Sequence, residues 1–367
     1  RAENRRNYAP IDAATAPAVS IIVPGYNEEV NIVRTITTLK QQDYPNLHIY
    51  FVDDGSKDHT LERVREAFDT DDKVTVLAKK NGGKASALNY GIAACRSEYV
   101  VCIDADTQLK HDAVSRLMKH FIADKDKRIG AVAGNVKVGN QRNMLTYWQA
   151  IEYTSSQNFD RMAYSNINAI TVVPGAIGAF RKEVIEEVGG FTTDTLAEDC
   201  DLTMSINEHG YIIENENYAV AMTEAPETLR QFVKQRIRWC FGVMQAFWKH
   251  RSSLFSPSKK GFGLWAMPNM LIFQYIIPTF SPLADVLMLI GLFSGNALQI
   301  FFYYLIFLLI DASVSIMAYI FEGERLWVLL WVIPQRFFYR WIMYYVLFKS
   351  YLKAIKGELQ TWGVLKR

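Results

Sequence analysis

The stretch YVVCIDAD, residues 99–106, decides how the rest of the chain is read. An unbroken apolar run fits a strand buried on both faces, and here it stops at two carboxylates. Upstream, VSIIV (19–23), LHIYFVDD (47–54) and VTVLA (74–78) are short runs of the same kind. Between them lie segments with helical spacing: NEEVNIVRTITTLKQQ (27–42), about Asp58 to Phe68, ASALNYGIAAC (85–95) and DAVSRLMKHF (112–121). Strands alternating with helices at this spacing predict a parallel, doubly wound α/β sheet covered on both faces. IGAVAGNVKV (129–138), TVVPGAIGAF (171–180) and NYAVAMTEA (217–225) predict further strands.

In such sheets ligands sit beyond the carboxyl ends of the strands. Here the strands run out into PGYNE (24–28), DDGS (53–56) and DAD (104–106), so acidic residues converge on one edge. Asp104 and Asp106 alternate about Ala105, and on an extended segment both would point the same way. Such a pair can hold Mg2+ or Mn2+ and leave positions for phosphate oxygens; the plainer alternative is two turn aspartates. Asp53 and Asp54 suit either an Asx turn or a carboxylate that accepts from a base or ribose. In AEDCD (197–201), Glu198 and Asp199 suit either a helix N-terminus or a general base. No GxGxxG follows the first strand, so dinucleotide binding is not indicated.

The 367 residues carry a net charge of +2, so charge alone implies no nucleic-acid partner. Cys95, Cys102, Cys200 and Cys240 lack metal-ligand spacing and read as reduced packing residues. A start at Arg1, with neither methionine nor signal peptide, reads as a fragment. From Leu264 the text turns apolar in three runs, 264–293, 297–321 and 326–348, each near the roughly 20 residues that cross a bilayer as a helix. Pro268, Pro278 and Pro282 interrupt the first; Arg336 and Arg340 sit inside the third, which is costly in lipid. Lys259 and Lys260 precede the runs, and Lys349, Lys353, Lys356, Lys366 and Arg367 come after them. Positive residues at both ends call for an even number of crossings, which three runs contradict unless one is re-entrant or interfacial.

Just before the apolar runs comes QRIRW, 235–239. On a helix Gln235, Arg238 and Trp239 share a face while Arg236 points elsewhere. The helix expected from about Glu227 to His250 carries Leu229, Phe232, Val233, Phe241, Met244, Phe247 and Trp248, a stripe suited to a membrane surface.

IIVPGYNEE, FVDDGSKDHT, KNGGKASALNYGI, IDADT, GAFRKEVIEEVGGF, LAEDCDLT and QRIRW succeed one another as in processive family-2 glycosyltransferases, the membrane synthases of cellulose, chitin, hyaluronan and poly-N-acetylglucosamine, which the chain resembles. KNGGKASALN, PQRFFYRWIMYY and WGVLKR are most similar to poly-β-1,6-N-acetylglucosamine synthases. The resemblance implies a GT-A (Rossmann-like) catalytic domain followed by interfacial and transmembrane helices. It divides the chain into a flank (1–18), catalytic domain (19–225), interfacial helix (226–260), transmembrane region (261–348) and basic tail (349–367).

By the same resemblance Pro24, Tyr26 and Glu28 line the uridine pocket and Asp53 contacts uracil. Lys84 lies near the diphosphate, Asp104 faces the nucleotide, and Asp106 with Asp104 holds Mg2+ or Mn2+. Asp199 is the base, with Glu198 beside it. The family often has threonine where Ala197 stands, and proline where His111 stands; the first loses a hydroxyl near the base, the second is expected on the surface. Arg238 is expected to stabilise the leaving diphosphate, Trp239 to stack on the acceptor sugar, and Gln235 to bond a phosphate or sugar hydroxyl.

The expected function is inverting, processive transfer of N-acetylglucosamine from UDP-GlcNAc to a growing β-linked polysaccharide. The partners are the UDP-sugar, the polymer and the bilayer, with room for an accessory membrane subunit and no nucleic acid. The expected place is the cell (inner) membrane, with the catalytic domain cytoplasmic. Rivals are a synthase of another β-glycan, a non-processive lipid-linked sugar transferase and a silent nucleotide-sensing membrane protein.

Overall fold

The computed structural model describes residues 11–293, 295 and 297–356. Most of the N-terminal flank and residues 357–367 of the basic tail, WGVLKR included, lie outside the described residues.

The strands are β1 Val19–Gly25, β2 Leu47–Asp53, β3 Val74–Ala78, β4 Tyr99–Cys102, β5 Gln108–Leu109, β6 Ile129–Val138, β7 Gly178–Arg181 and β8 Ile212–Thr223. They form one sheet in the order β3-β2-β1-β4-β7-β6-β8-β5. The half β3-β2-β1-β4 is parallel as expected. The other half corrects the all-parallel expectation: β7 is antiparallel to both β4 and β6, β8 is parallel to β6, and the short β5, absent from the sequence reading, is antiparallel to β8. The topology gives the reason. Since β6 runs with β4 and β7 against both, residues 139–177 leave and re-enter the sheet at the same edge, the one where the acidic strand ends meet. The strand expected over 171–180 therefore shrinks to Gly178–Arg181, because its first part is loop on that edge.

Helices α1 Ile32–Lys40, α2 Thr60–Phe68 and α4 Ala113–Ala123 cover one face; α3 Lys84–Ala94, α7 Lys182–Glu187 and α8 Glu198–Glu208 contribute to the core on the other. The code is plain in α1, whose buried Ile32, Thr35, Ile36 and Leu39 recur at helical spacing. Core side chains such as Ile21, Ile22 and Phe51 are fully buried, each worth roughly 1.5–3 kcal/mol of transfer from water. The excursion on the acidic edge holds α5 Met144–Glu152, opened by an Asn143–Thr146 capping box, a π-helical segment Tyr153–Asn158 and α6 Phe159–Tyr164.

Helix α9, Leu229–Lys249, lies where the sequence reading put a long helix. Phe232 and Phe241 of its apolar stripe are buried within the protein, whereas Leu229 and Trp248 are exposed. After it come α10 (Phe262–Leu292, with π-helical turns), α11 (Ala297–Glu322) and α12 (Val332–Ile355). The first two are long and apolar enough to cross a membrane; only 6% of the most apolar window of each is buried, so both need a further apolar covering. The arginines that looked costly in the third run have partners on the other two helices: Arg340 pairs with Asp285 of α10 at 2.8 Å, and Arg336 pairs with Asp311 of α11.

Candidate active site

The acidic edge opens into one cavity of about 1230 Å3. Its sheet end is lined by Pro24, Tyr26, Glu28, Lys84, Asp104 and Asp106; its middle by Glu198, Asp199, Gln235, Arg238 and Trp239; its far end by Met270, Phe273, Tyr344 and Leu347 of α10 and α12. Every candidate site residue expected from sequence lines it except Asp53, whose place on the wall Asp54 takes.

The two aspartates of DDGS divide the work. Asp54 is nearly fully buried and accepts from Gly82 N (3.0 Å), Gly83 N (2.7 Å) and Lys79 Nζ (2.7 Å), so it fixes the loop that presents Lys84 at the start of α3. Asp53 makes the Asx turn through Oδ2, accepting from Gly55 N (3.1 Å) and Ser56 N (3.2 Å). Its Oδ1 is buried and has no hydrogen-bond partner among the described residues.

Asp104 and Asp106 were expected on an extended segment. Instead Thr107 N donates to Asp104 O at 3.0 Å and closes a turn, because β4 stops at Cys102. Both carboxylates still line the cavity. Burial, and then the charge of Asp104, pushes Asp106 up to about 6. An all-oxygen pair with excess negative charge fits a hard divalent cation. Among the described residues no group of three or more His, Cys, Asp or Glu is gathered there.

Lys84 joins the strand ends to α8. Its Nζ lies 2.5 Å from Asp104 Oδ1 and 3.1 Å from Glu198 Oε1. Burial alone would lower the ammonium; Asp104, Glu198 and Asp199 outweigh it and raise it above the ordinary lysine value. Gly175 packs closely against it: a Cβ there would lie 2.5 Å from Lys84 Nζ. Gly175 N also donates to Asp199 Oδ2 (3.3 Å), and Cys200 N to Asp199 Oδ1 (2.8 Å). Burial, then the neighbouring Glu198, pushes Asp199 up to about 6 against the pull of Lys84 and these amides. A carboxylate with that affinity is ionised at neutral pH and still able to take a proton.

On α9, Arg238 is exposed on the cavity side and has no ion-pair partner among the described residues. Gln235 Oε1 is buried without a hydrogen-bond partner among the described residues. Arg236, expected to point elsewhere, also lines the cavity. Its guanidinium pairs with Glu152 at 2.8 Å and lies 4.4 Å from the Trp239 ring centroid, fixing that ring from below. Tyr153 flanks the same ring at 6.3 Å. The sequence reading missed Glu152, Tyr153, Asp160, Arg161 and Gly175. Arg161 is buried and donates to Gly134 O (3.2 Å), and burial lowers it to about 10; nothing local in the sequence marks it.

A mixed α/β sheet with paired acids, a cationic bridge and a buried carboxylate at one edge defines a GT-A glycosyltransferase domain. Residues 20–189, somewhat under half of the chain, match the family model described as glycosyl transferase family 2. Curated relatives include a poly-β-1,6-N-acetyl-D-glucosamine synthase of Staphylococcus epidermidis, 33% identical over 63% of this chain and 56% of the relative. The synthase of that description from Staphylococcus aureus (strain COL) is 32% identical over 71% of this chain and 61% of the relative. The chain thus spans about three-fifths of the length of the curated relatives it matches. Among solved structures, a mannosyltransferase of Pyrobaculum calidifontis in complex with GDP-Man and Mn2+ has the same fold, with a TM-score of 0.66 at 24% identity over 95% of this chain and 90% of that one.

Proposed function

We propose that this chain transfers N-acetylglucosamine from UDP-GlcNAc to a growing β-linked polysaccharide, with inversion and processively, at a membrane. The observation that carries the reading is the single cavity running from the strand ends, past Asp199 and Trp239, to α10 and α12. Donor, acceptor and an exit between α10 and α12 fit within it. The names of the staphylococcal relatives support the choice of sugar.

In this reading Pro24, Tyr26 and Glu28 surround the nucleoside, and Asp53, which does not line the cavity, shapes the adjoining loop through its Asx turn. Asp104 and Asp106 would hold Mg2+ or Mn2+, which supplies charge neutralisation of the diphosphate. The acceptor hydroxyl gives its proton to Asp199, and its oxygen attacks the anomeric carbon on the face opposite UDP. The bond from that carbon to UDP breaks, and UDP leaves with the electron pair. Lys84 and Arg238 meet the charge that develops. Trp239 offers the acceptor a flat apolar face, and Gln235 a free acceptor oxygen. The two apolar helices support a location in the cell membrane, with the catalytic domain on the cytoplasmic side.

The test incubates membranes containing the chain with each labelled UDP-sugar and Mg2+ or Mn2+, then digests the product with linkage-specific glycosidases. Polymer from UDP-GlcNAc is expected. Single-sugar lipid products would favour the lipid-linked transferase, and absence of UDP release from every donor would overturn the enzymatic reading.

A further inference from the structure

The face of α9 that bears Gln235, Arg238 and Trp239 does not end at the cavity. It continues every three or four residues through Gly242, Gln245 and Lys249, with His250 beside it. All four touch α8 or the segment that leads into it. A Cβ on Gly242 would lie 2.7 Å from Ala197 N, 2.8 Å from Leu196 C and 2.9 Å from the Ala197 Cβ, so α9 rests directly on the backbone preceding Glu198 and Asp199. The alanine at 197, where the resembling family often has threonine, is part of this close approach. Gln245 Oε1 accepts from Leu196 N at 3.0 Å. Lys249 Nζ reaches Asp201 (2.9 Å), Asp194 (3.1 Å) and Thr192 (3.2 Å). His250 bridges Asp201 (3.0 Å) and Glu208 (2.8 Å), both on α8.

We propose that Gly242, Gln245, Lys249 and His250 are positioning residues that set the distance between Asp199 and the Arg238–Trp239 pair. The inference rests on Asp199 being the base. One continuous helix then carries the acceptor platform at its middle and grips the base-bearing helix through its C-terminal half. Glycine at 242 sets the closest approach, and the polar contacts set the register. Misplacement of about 1 Å between reacting groups can cost on the order of 10²-fold in rate, so a shift of α9 on α8 is felt in transfer. Water needs the base but not the platform, so hydrolysis of the donor depends less on this register.

The experiment uses the full chain in membranes and compares Gly242→Ala, Gln245→Ala, Lys249→Ala and Lys249→Arg. Three quantities are read: transfer to a sugar acceptor, donor hydrolysis and UDP-sugar affinity. The expected result for Gly242→Ala is roughly a 10-fold or greater loss of transfer, a smaller loss of hydrolysis and donor affinity within about twofold. Lys249→Ala should show the same pattern more weakly, with Lys249→Arg restoring transfer; this pair decides the matter if Gly242→Ala does not fold. Transfer and hydrolysis falling in proportion, or transfer unchanged throughout, would overturn the inference. Asp199→Asn is run beside them. If it keeps turnover, the base assignment fails; if it is inactive while the stripe variants behave as wild type, the positioning inference fails alone.

Discussion

Helix α8 carries its acids into two surroundings. Glu198 and Asp199 face the cavity, where burial and mutual repulsion push Asp199 up to about 6. Two residues later Asp201 is fully buried, yet its carboxyl is held below the usual range. Burial would raise Asp201 too, but bonds from His250, Thr192 and Lys249 outweigh it. The residue type is the same, and the partners decide the role. An acid with unbalanced charge can take a proton or a cation, whereas a fully paired one holds two helices together. Asp106 belongs with the first kind and is likewise pushed up to about 6.

The sharpest way to break this contrast is to neutralise Asp106. Asp106→Asn should abolish metal-dependent UDP-sugar binding with the fold intact, read by donor titration across a range of Mg2+ or Mn2+. Donor affinity unchanged by the substitution at every metal concentration would place Asp106 with the structural acids. Asp201→Asn should do the reverse. Removing one partner of a buried ion pair costs about 3–5 kcal/mol, so a marked fall in thermal midpoint is expected, while the surviving folded molecules keep their donor affinity. A variant as stable as the wild type would dissolve the distinction.

Arg238 and Trp239 sharpen the same contrast on α9. Arg238→Ala should weaken the diphosphate side and slow transfer to every acceptor, with lysine restoring charge but not the planar fork, hence partial rescue. Trp239→Ala should weaken acceptor binding and shorten the product, with UDP affinity near normal. Equal loss of UDP affinity in both, with product length kept, would make the helix a lid. The smallest effect expected is in alkaline stability. Burial would lower His250, but Asp201 and Glu208 raise it to about 9. A raised histidine stabilises the fold fully below its unfolded value near 6.5 and loses that contribution as pH rises through about 9. Thermal midpoints should therefore fall between about pH 7 and 10, and His250→Gln should remove that slope. An unchanged slope would show that other groups set it.

The gathering of acids at one sheet edge was legible in the sequence, since each comes directly after an apolar strand and parallel strands bring their ends together. The two long apolar helices were legible for the same local reason. The features that stayed hidden depend on contacts between distant segments. The reversed direction of β7 cannot be read from GAFR, because strand direction is set by where the preceding excursion returns. Arg236 was placed off the active face by helical spacing alone, and only Glu152, 84 residues away, explains its turn toward Trp239. Asp201 looked like one more acid in AEDCD until α9 supplied its partners. The arginines of the third apolar run looked prohibitive until their aspartates appeared on neighbouring helices.

In the proposed mechanism Asp199 takes the acceptor's proton. Its most direct test measures transfer rate and UDP-sugar affinity side by side in Asp199→Asn. The expected result is a fall in transfer of roughly 10²–10⁴-fold with donor affinity nearly preserved. Near-normal turnover in that variant would contradict the account.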